Sequence, residues 1–143
     1  MSNFQQEKKI VLDYYKSLDS AQGNDITKVL KNYMSEDYIW RGFHPFNELS
    51  EVEEVSKKFW QPFRHAFQNM QRRMDIFIAG KNQIDGFESI WVVSMGNLMG
   101  LFDNEWLGIA ASRKMALLRY CEFNKVENGK ITETAMFFDI PHV

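Results

Sequence analysis

The stretch KMALLRYCEFNKV, residues 114–126, sets a carboxylate among apolar and aromatic neighbours. Alternation along a strand puts Leu118, Tyr120, Glu122 and Asn124 on one face. A carboxyl group so placed loses solvation, the condition under which it becomes useful as a general base. An ion pair between Glu122 and Arg119, Arg113 or a cross-strand lysine is the competing use of the same side chain. A second candidate lies in WVVSMGNLMGLF, residues 91–102, where Trp91, Val93, Met95 and Asn97 fall on one face. An amide in an apolar cavity can hold a carbonyl or enolate oxygen, as an oxyanion hole does. Asn97 could equally cap a bulge made by Gly96 and Gly100. A third group is Tyr38, Trp40 and His44, which face together if their strand stays regular through Gly42. His44 would then shuttle protons, since histidine titrates near neutral pH. Beside Pro45 it could also be an exposed loop residue.

Other chemistries find no support. A phosphate cradle needs a helix N-terminus and usually a following lysine, whereas Gly96 and Gly100 lead into Leu101-Phe102-Asp103. His44, His65 and His142 share no metal-ligand spacing, so no metal is expected. Cys121 is the single cysteine, which rules out an intrachain disulfide and a cysteine-based zinc site. No nucleophile elbow and no dinucleotide fingerprint occur, so no cofactor is implied. A formal charge of −2 carries no footprint for nucleic acid or an anionic membrane. The pair Arg72-Arg73 is too small a basic patch for nucleic acid and suits a helix C-terminus. The N-terminus is too charged for a signal peptide, and no apolar run has membrane-spanning length. A cytoplasmic protein is expected.

The elements that must position these residues follow from periodicity. Phe4, Ile10, Val11, Tyr14, Tyr15 and Leu18 predict an amphipathic helix over 3–18. Gly23 stops it, and Asn24 or Asp25 opens a second helix through Tyr33 or Met34. Residues 37–43 read as a strand ended by Pro45. Ser50 and Glu53 form a capping-box pattern ahead of a third helix with Val52, Val55, Phe59, Phe63, Ala66 and Phe67 on its apolar stripe. Pro62 predicts a kink near Gln61. Strands are expected over 75–79, 89–98, 114–126 and 131–138, the last two joined by an Asn128-Gly129 hairpin turn. With 143 residues and no linker or repeat, residues 1–143 form one domain. Helices followed by strands predict an α+β fold with helices on one face of a largely antiparallel sheet. The long strand at 113–126 implies strong curvature.

That order, together with YIWRGFHP (38–45), FWQPFRHAF (59–67), RRMDIFIAG (72–80), residues 96–112 and EFNKVENGKI (122–131), resembles the nuclear transport factor 2-like superfamily. Within it, the SnoaL-like polyketide cyclase and ester cyclase group is most similar. The likeness spans roughly residues 8 to 140, and its most specific parts are G-x-x-x-G before W-L-G-I and then V-x-N-G-K-I. The resemblance implies a cone: a strongly curved mixed or antiparallel sheet with N-terminal helices over its concave face, enclosing an apolar pocket. It also implies chemistry inside that pocket by acid–base groups on strands. Related sequences often carry histidine where Asn97 stands, and epoxide-hydrolase relatives carry a carboxylate near the position of Met136.

The expected function is a cofactor-independent cyclase or isomerase acting on an apolar carbonyl compound, with Glu122, Asn97 and His44 as catalytic residues. Tyr38, Trp40, Trp60, Phe63, Trp91, Met95, Trp106 and Tyr120 would line the substrate site. Leu101, Phe102, Trp106, Leu107 and Ile109 would form an apolar lip over its opening. The alternative is a non-catalytic small-molecule-binding or dimerisation module of the same fold. The expected partner is an apolar or aromatic small molecule, and apolar groups on the outer sheet face suggest a homodimer.

Overall fold

The computed structural model describes residues 4–139; the start of the expected first helix at residue 3, and His142, lie outside them. Helices α1 (Gln5–Ser20) and α2 (Asp25–Tyr33) precede strand β1 (Met34–Arg41) and the short β2 (Glu48–Ser50). A third helix, α3, occupies residues 52–66. Strands β3 (Phe67–Lys81), β4 (Ile90–Phe102), β5 (Met115–Glu127) and β6 (Lys130–Phe138) complete the chain. They form one six-stranded sheet in the order β2-β1-β6-β5-β4-β3, curled but not closed. Only β1 and β6 pair in parallel. The fold is α+β, as expected.

Local chemistry explains most boundaries. Asn128 and Gly129 take φ of 50° and 79°, the two positive values a tight β5–β6 hairpin requires. The expected break at Pro62 is absorbed instead: a π turn, Ser56–Trp60, precedes it and α3 runs on. Pro62 donates no N–H and would crowd the carbonyl of Lys58 in a regular helix, and widening the turn relieves both. The expected capping box of Ser50 and Glu53 does not form: Glu51 is the N-cap and makes no side-chain cap hydrogen bond. Glu51 has φ of 68°, and the Ser50 N–H donates to Glu54 Oε1 at 3.1 Å. Glu53 pairs with Lys31 on α2 instead.

The largest departure is β3, which starts at Phe67 rather than at residue 75. Two register shifts, between Gln68 and Gln71 and between Met74 and Ile76, break its alternation and hid the strand in the sequence. Arg72 and Arg73 therefore lie on a strand, not at a helix end. Gly96 on β4 answers the second bulge. A Cβ there would stand 1.9 Å from the carbonyl oxygen of Arg73, so β3 can approach only because the position is glycine.

On the concave side, α1 contributes Val11, Tyr14, Tyr15 and Leu18, and α3 contributes Val55, Phe59, Trp60, Phe63 and Ala66. These meet the inward residues of β4, β5 and β6. Where a pocket was expected, rings pack at close range. Trp40 lies 4.5 Å from Phe59, Phe67 4.6 Å from Phe102, and Phe63 5.0 Å from Phe138, centroid to centroid.

Replacing Gly96 with alanine should cost about 3 kcal/mol or more, since the neighbour it meets is backbone and cannot step aside. Gly80→Ala, where a Cβ would meet nothing within 4 Å, should leave stability within about 0.5 kcal/mol. Urea denaturation of the two variants checks this pair.

Candidate active site

Glu122 sits in the middle of β5, on the inner face with Leu118, Tyr120 and Asn124, and has no solvent exposure. Its partner is none of the cations that sequence proximity suggested. Arg72, from β3, reaches across β4 and donates from Nη1 to Glu122 Oε1 at 3.0 Å. The Arg72 side chain is itself 3% exposed. Its Nε donates to Asp19 Oδ2 at 3.3 Å, at the C-terminal end of α1. The guanidinium carbon lies 3.8 Å from the centre of the Tyr15 ring and 5.1 Å from that of Tyr120.

The second carboxylate oxygen is held as well. Asn124 Nδ2 donates to Glu122 Oε2 and to the Tyr15 hydroxyl, each at 3.1 Å. Asn124 Oδ1 accepts from Thr134, which accepts from the Tyr38 hydroxyl at 2.6 Å. The hydroxyls of Tyr15 and Tyr120 both meet Ser94. The site is thus a buried charge pair inside a connected set of polar groups drawn from α1 and all the long strands.

Electrostatics follow from burial. Desolvation alone would lower the Arg72 pKa, but Glu122 first, then Asp19, overcome it and hold the guanidinium above its ordinary value. Burial raises the phenol pKa of Tyr14, Tyr15, Tyr38 and Tyr120 above the usual tyrosine value, so these hydroxyls act as neutral donors and acceptors.

The remaining predicted residues divide by strand register. Tyr38, Trp40, Trp60, Phe63, Trp106 and Tyr120 are all buried on the concave side. Asn97 is not with them. Ser94 pairs with Glu122 and Leu98 with Leu118, so the even-numbered residues of β4 face inward. Asn97 pairs with Arg119 on the outer face, together with Trp91, Val93 and Met95. The expected convergence of Asn97 on Glu122 therefore fails by one residue of register, as does the placement of Trp91 and Met95. His44 is exposed in the β1–β2 turn, away from the buried carboxylate. Leu107, expected in the apolar lip, is 38% exposed, while Phe102 and Trp106 are buried.

Arg72 is the residue that sequence reasoning missed. Its signal was a lone inward cation in a strand whose alternation two bulges obscure. Ser94, Asn124, Thr134 and Tyr15 were visible only as polar residues at positions whose neighbours are apolar. Among the described residues, no three His, Cys, Asp or Glu side chains gather as a metal site.

Two cavities have neither Glu122 nor Arg72 in their lining. One of about 730 Å³ lies by the α1–α2 turn and the end of α3, lined by Asp19, Arg64 and Gln68 among others. Another, of about 510 Å³, lies on the outer sheet face beside Ile78, Trp91 and Phe123.

No family model matches the chain, and no curated protein matches it in sequence. Solved structures do match in shape. A provisionally assigned SnoaL-like polyketide cyclase from Jannaschia sp. CCS1 superposes with a TM-score of 0.73 at 16% identity, covering 94% of this chain and 86% of that one. AclR from Streptomyces galilaeus, provisionally a hydroxylase, gives 0.72 at 14% identity over 96% and 91%. An NTF2-like protein of unknown function from Burkholderia pseudomallei K96243 gives 0.64 at 18% over 97% and 92%. The chain shares the fold of these structures, which include SnoaL-like and NTF2-like proteins.

Removing one member of the buried pair leaves an uncompensated charge. Arg72→Met should destabilise by about 3–5 kcal/mol, and adding Glu122→Leu to it should recover most of that loss. A double-mutant cycle in urea denaturation measures both terms.

Proposed function

We propose that the chain is a cofactor-independent enzyme of the cyclase or isomerase type, acting by acid–base chemistry on an apolar carbonyl compound. The reading rests on one observation: a carboxylate and an arginine buried together at the centre of the sheet, inside a satisfied polar network. Buried ion pairs are weak stabilisers compared with apolar residues of similar volume, so stability alone is a poor reason to keep one. Glu122 would remove a proton from the carbon next to the carbonyl. The electron pair then moves onto the carbonyl oxygen, and Arg72 is the cation placed to face it. Arg72 so takes the role that the sequence suggested for Asn97. Neighbours of this fold bear the names polyketide cyclase and hydroxylase, which supports small-molecule chemistry on this scaffold.

The second reading, a binding module of the same fold, is favoured by the filling of the concave side and by the engagement of both Glu122 oxygens. Deuterium incorporation next to the carbonyl of aromatic ketones, followed by NMR in heavy water, separates the two. The enzyme should catalyse it, and Glu122→Gln should slow it about 10²–10⁴-fold while the fold persists by circular dichroism. Exchange that is equally fast in Glu122→Gln would remove Glu122 as the base. Ligand binding with no exchange in either protein would favour the module.

We further propose a homodimer through the outer sheet face, where Ile78, Met115, Leu117 and Phe137 are 47–64% exposed. Sedimentation velocity at micromolar concentration should show about twice the chain mass of 16.9 kDa, and a monomer alone would overturn this. Among the described residues no helix is long and apolar enough to cross a membrane. A single unpaired cysteine, Cys121, is consistent with residence in a reducing cytoplasm.

A further inference from the structure

Residues 103–114 join β4 to β5, and Trp106 is unlike the rest of them. Of residues 105–115, it alone is buried. The residues around it form a tight turn: the N–H groups of Trp106 and Ile109 each donate to the other's carbonyl, with Leu107 and Gly108 at φ of 52° and 78°. The segment's fastenings to the body sit at its base. Asp103 and Asn104 donate backbone N–H groups to the Ala66 carbonyl, Asn104 Nδ2 donates to His65 O, and Phe102 pairs with Arg113 and Lys114. Beyond that base, the fully buried contact is the inserted indole, with Ile109 and Ala111 packing partly against the core beside it.

The indole occupies an aromatic slot. It lies nearly parallel to Phe138, at 5.8 Å and 23°, and to Phe46, at 6.3 Å and 24°. Phe63 and Phe67 close round it at 5.2 and 5.7 Å. Its Nε1–H is buried without a hydrogen-bond partner. Trp40 and Trp60 share that deficit but sit on β1 and α3, which cannot move without unfolding the core. The Trp106 turn lies outside the helices and the six-stranded sheet, so its displacement breaks no pairing between strands. The polar site is near: Phe138 pairs with Tyr120, and Met136, two residues back on the same face, pairs with Glu122. Two residues of strand are about 7 Å, close to the width of a bicyclic ring system.

We infer that this slot is a binding site for a flat bicyclic carbonyl compound, and that Trp106 is the plug such a ligand displaces. The inference rests on the proposed function and narrows its substrate: a planar ring takes the place of the indole between the phenylalanines, and its carbonyl end points along β6 towards Arg72 and Glu122. The unsatisfied indole N–H explains why the plug can leave, because opening returns that donor to water while the strands stay paired.

The test uses the wild-type protein and a Trp106→Ala variant, and it requires no turnover. Hydrogen exchange of the three buried indole N–H groups is followed by NMR with and without 1-indanone. Trp106 should exchange at least about tenfold faster than Trp40 and Trp60, with little dependence on low urea. 1-Indanone should bind saturably, shift the Trp106 signal, and bind Trp106→Ala at least about tenfold more tightly, since nothing then needs displacing. Exchange of Trp106 together with the other two, only on global unfolding, overturns the plug. An opening turn with no 1-indanone binding to either protein overturns the ligand class. Opening and binding without carbon-bound deuterium exchange would leave this inference standing while sinking the enzyme reading.

Discussion

A carboxylate cannot be carried to the centre of a sheet without a cation and hydrogen bonds to receive it, and much of this molecule's concave side is organised by that demand. The cation comes from β3 and must cross β4 to reach β5. That geometry fixes the length and bulging of β3, the glycine at 96 that lets β3 close on β4, and the inward polar residues Ser94, Asn124 and Thr134. Helix α1 then seals the pair from outside, with Tyr15 against the guanidinium and Asp19 accepting from its Nε.

The concave side is therefore two environments joined end to end. Around Glu122 the buried side-chain donors and acceptors named above find one another. Around Trp106, Phe63 and Phe138 the material is almost purely aromatic, and the polar atoms present are indole N–H groups without partners. Such a gradient suits a substrate with an apolar body and one oxygen-bearing end. It also gives the two ends opposite mechanical character. The polar end is tied by hydrogen bonds across several strands, whereas the aromatic end is held by non-directional packing that tolerates rearrangement.

Fold class and the inward face of β5 were legible in the sequence because each rests on a regular period. Leu118, Tyr120, Glu122 and Asn124 keep strict alternation, and the Asn128-Gly129 turn dictates its own hairpin. Asn97 was misplaced because both faces of β4 are apolar: Val92 and Leu98 face one way, Trp91 and Val93 the other. Hydrophobicity alone then cannot decide the face, and a one-residue shift exchanges them. Arg72 escaped for a different reason. Its strand is polar and bulged, and its partner stands 50 residues away, a pairing that no local pattern encodes. The fullness of the pocket was equally hidden, because an aromatic count says how much ring there is and not whether it packs on itself.

The parallel pairing of β1 with β6 has a consequence for how the chain is made. Met34 lies beside Ile131, and Trp40 beside Thr134, so the first long strand, apart from the short β2, finds its neighbour only in the last. During synthesis α1, α2 and β1 leave the ribosome before any surface exists on which they can dock. The β3–β6 meander, whose strands pair in sequence order, can assemble first and supply the template. The polar residues at its centre would meanwhile be open to water, and Arg72 and Glu122 would find each other across that sheet before Tyr15 arrives to shut them in. Desolvation of the charge pair is then among the last events of folding, when its partner groups are already in reach.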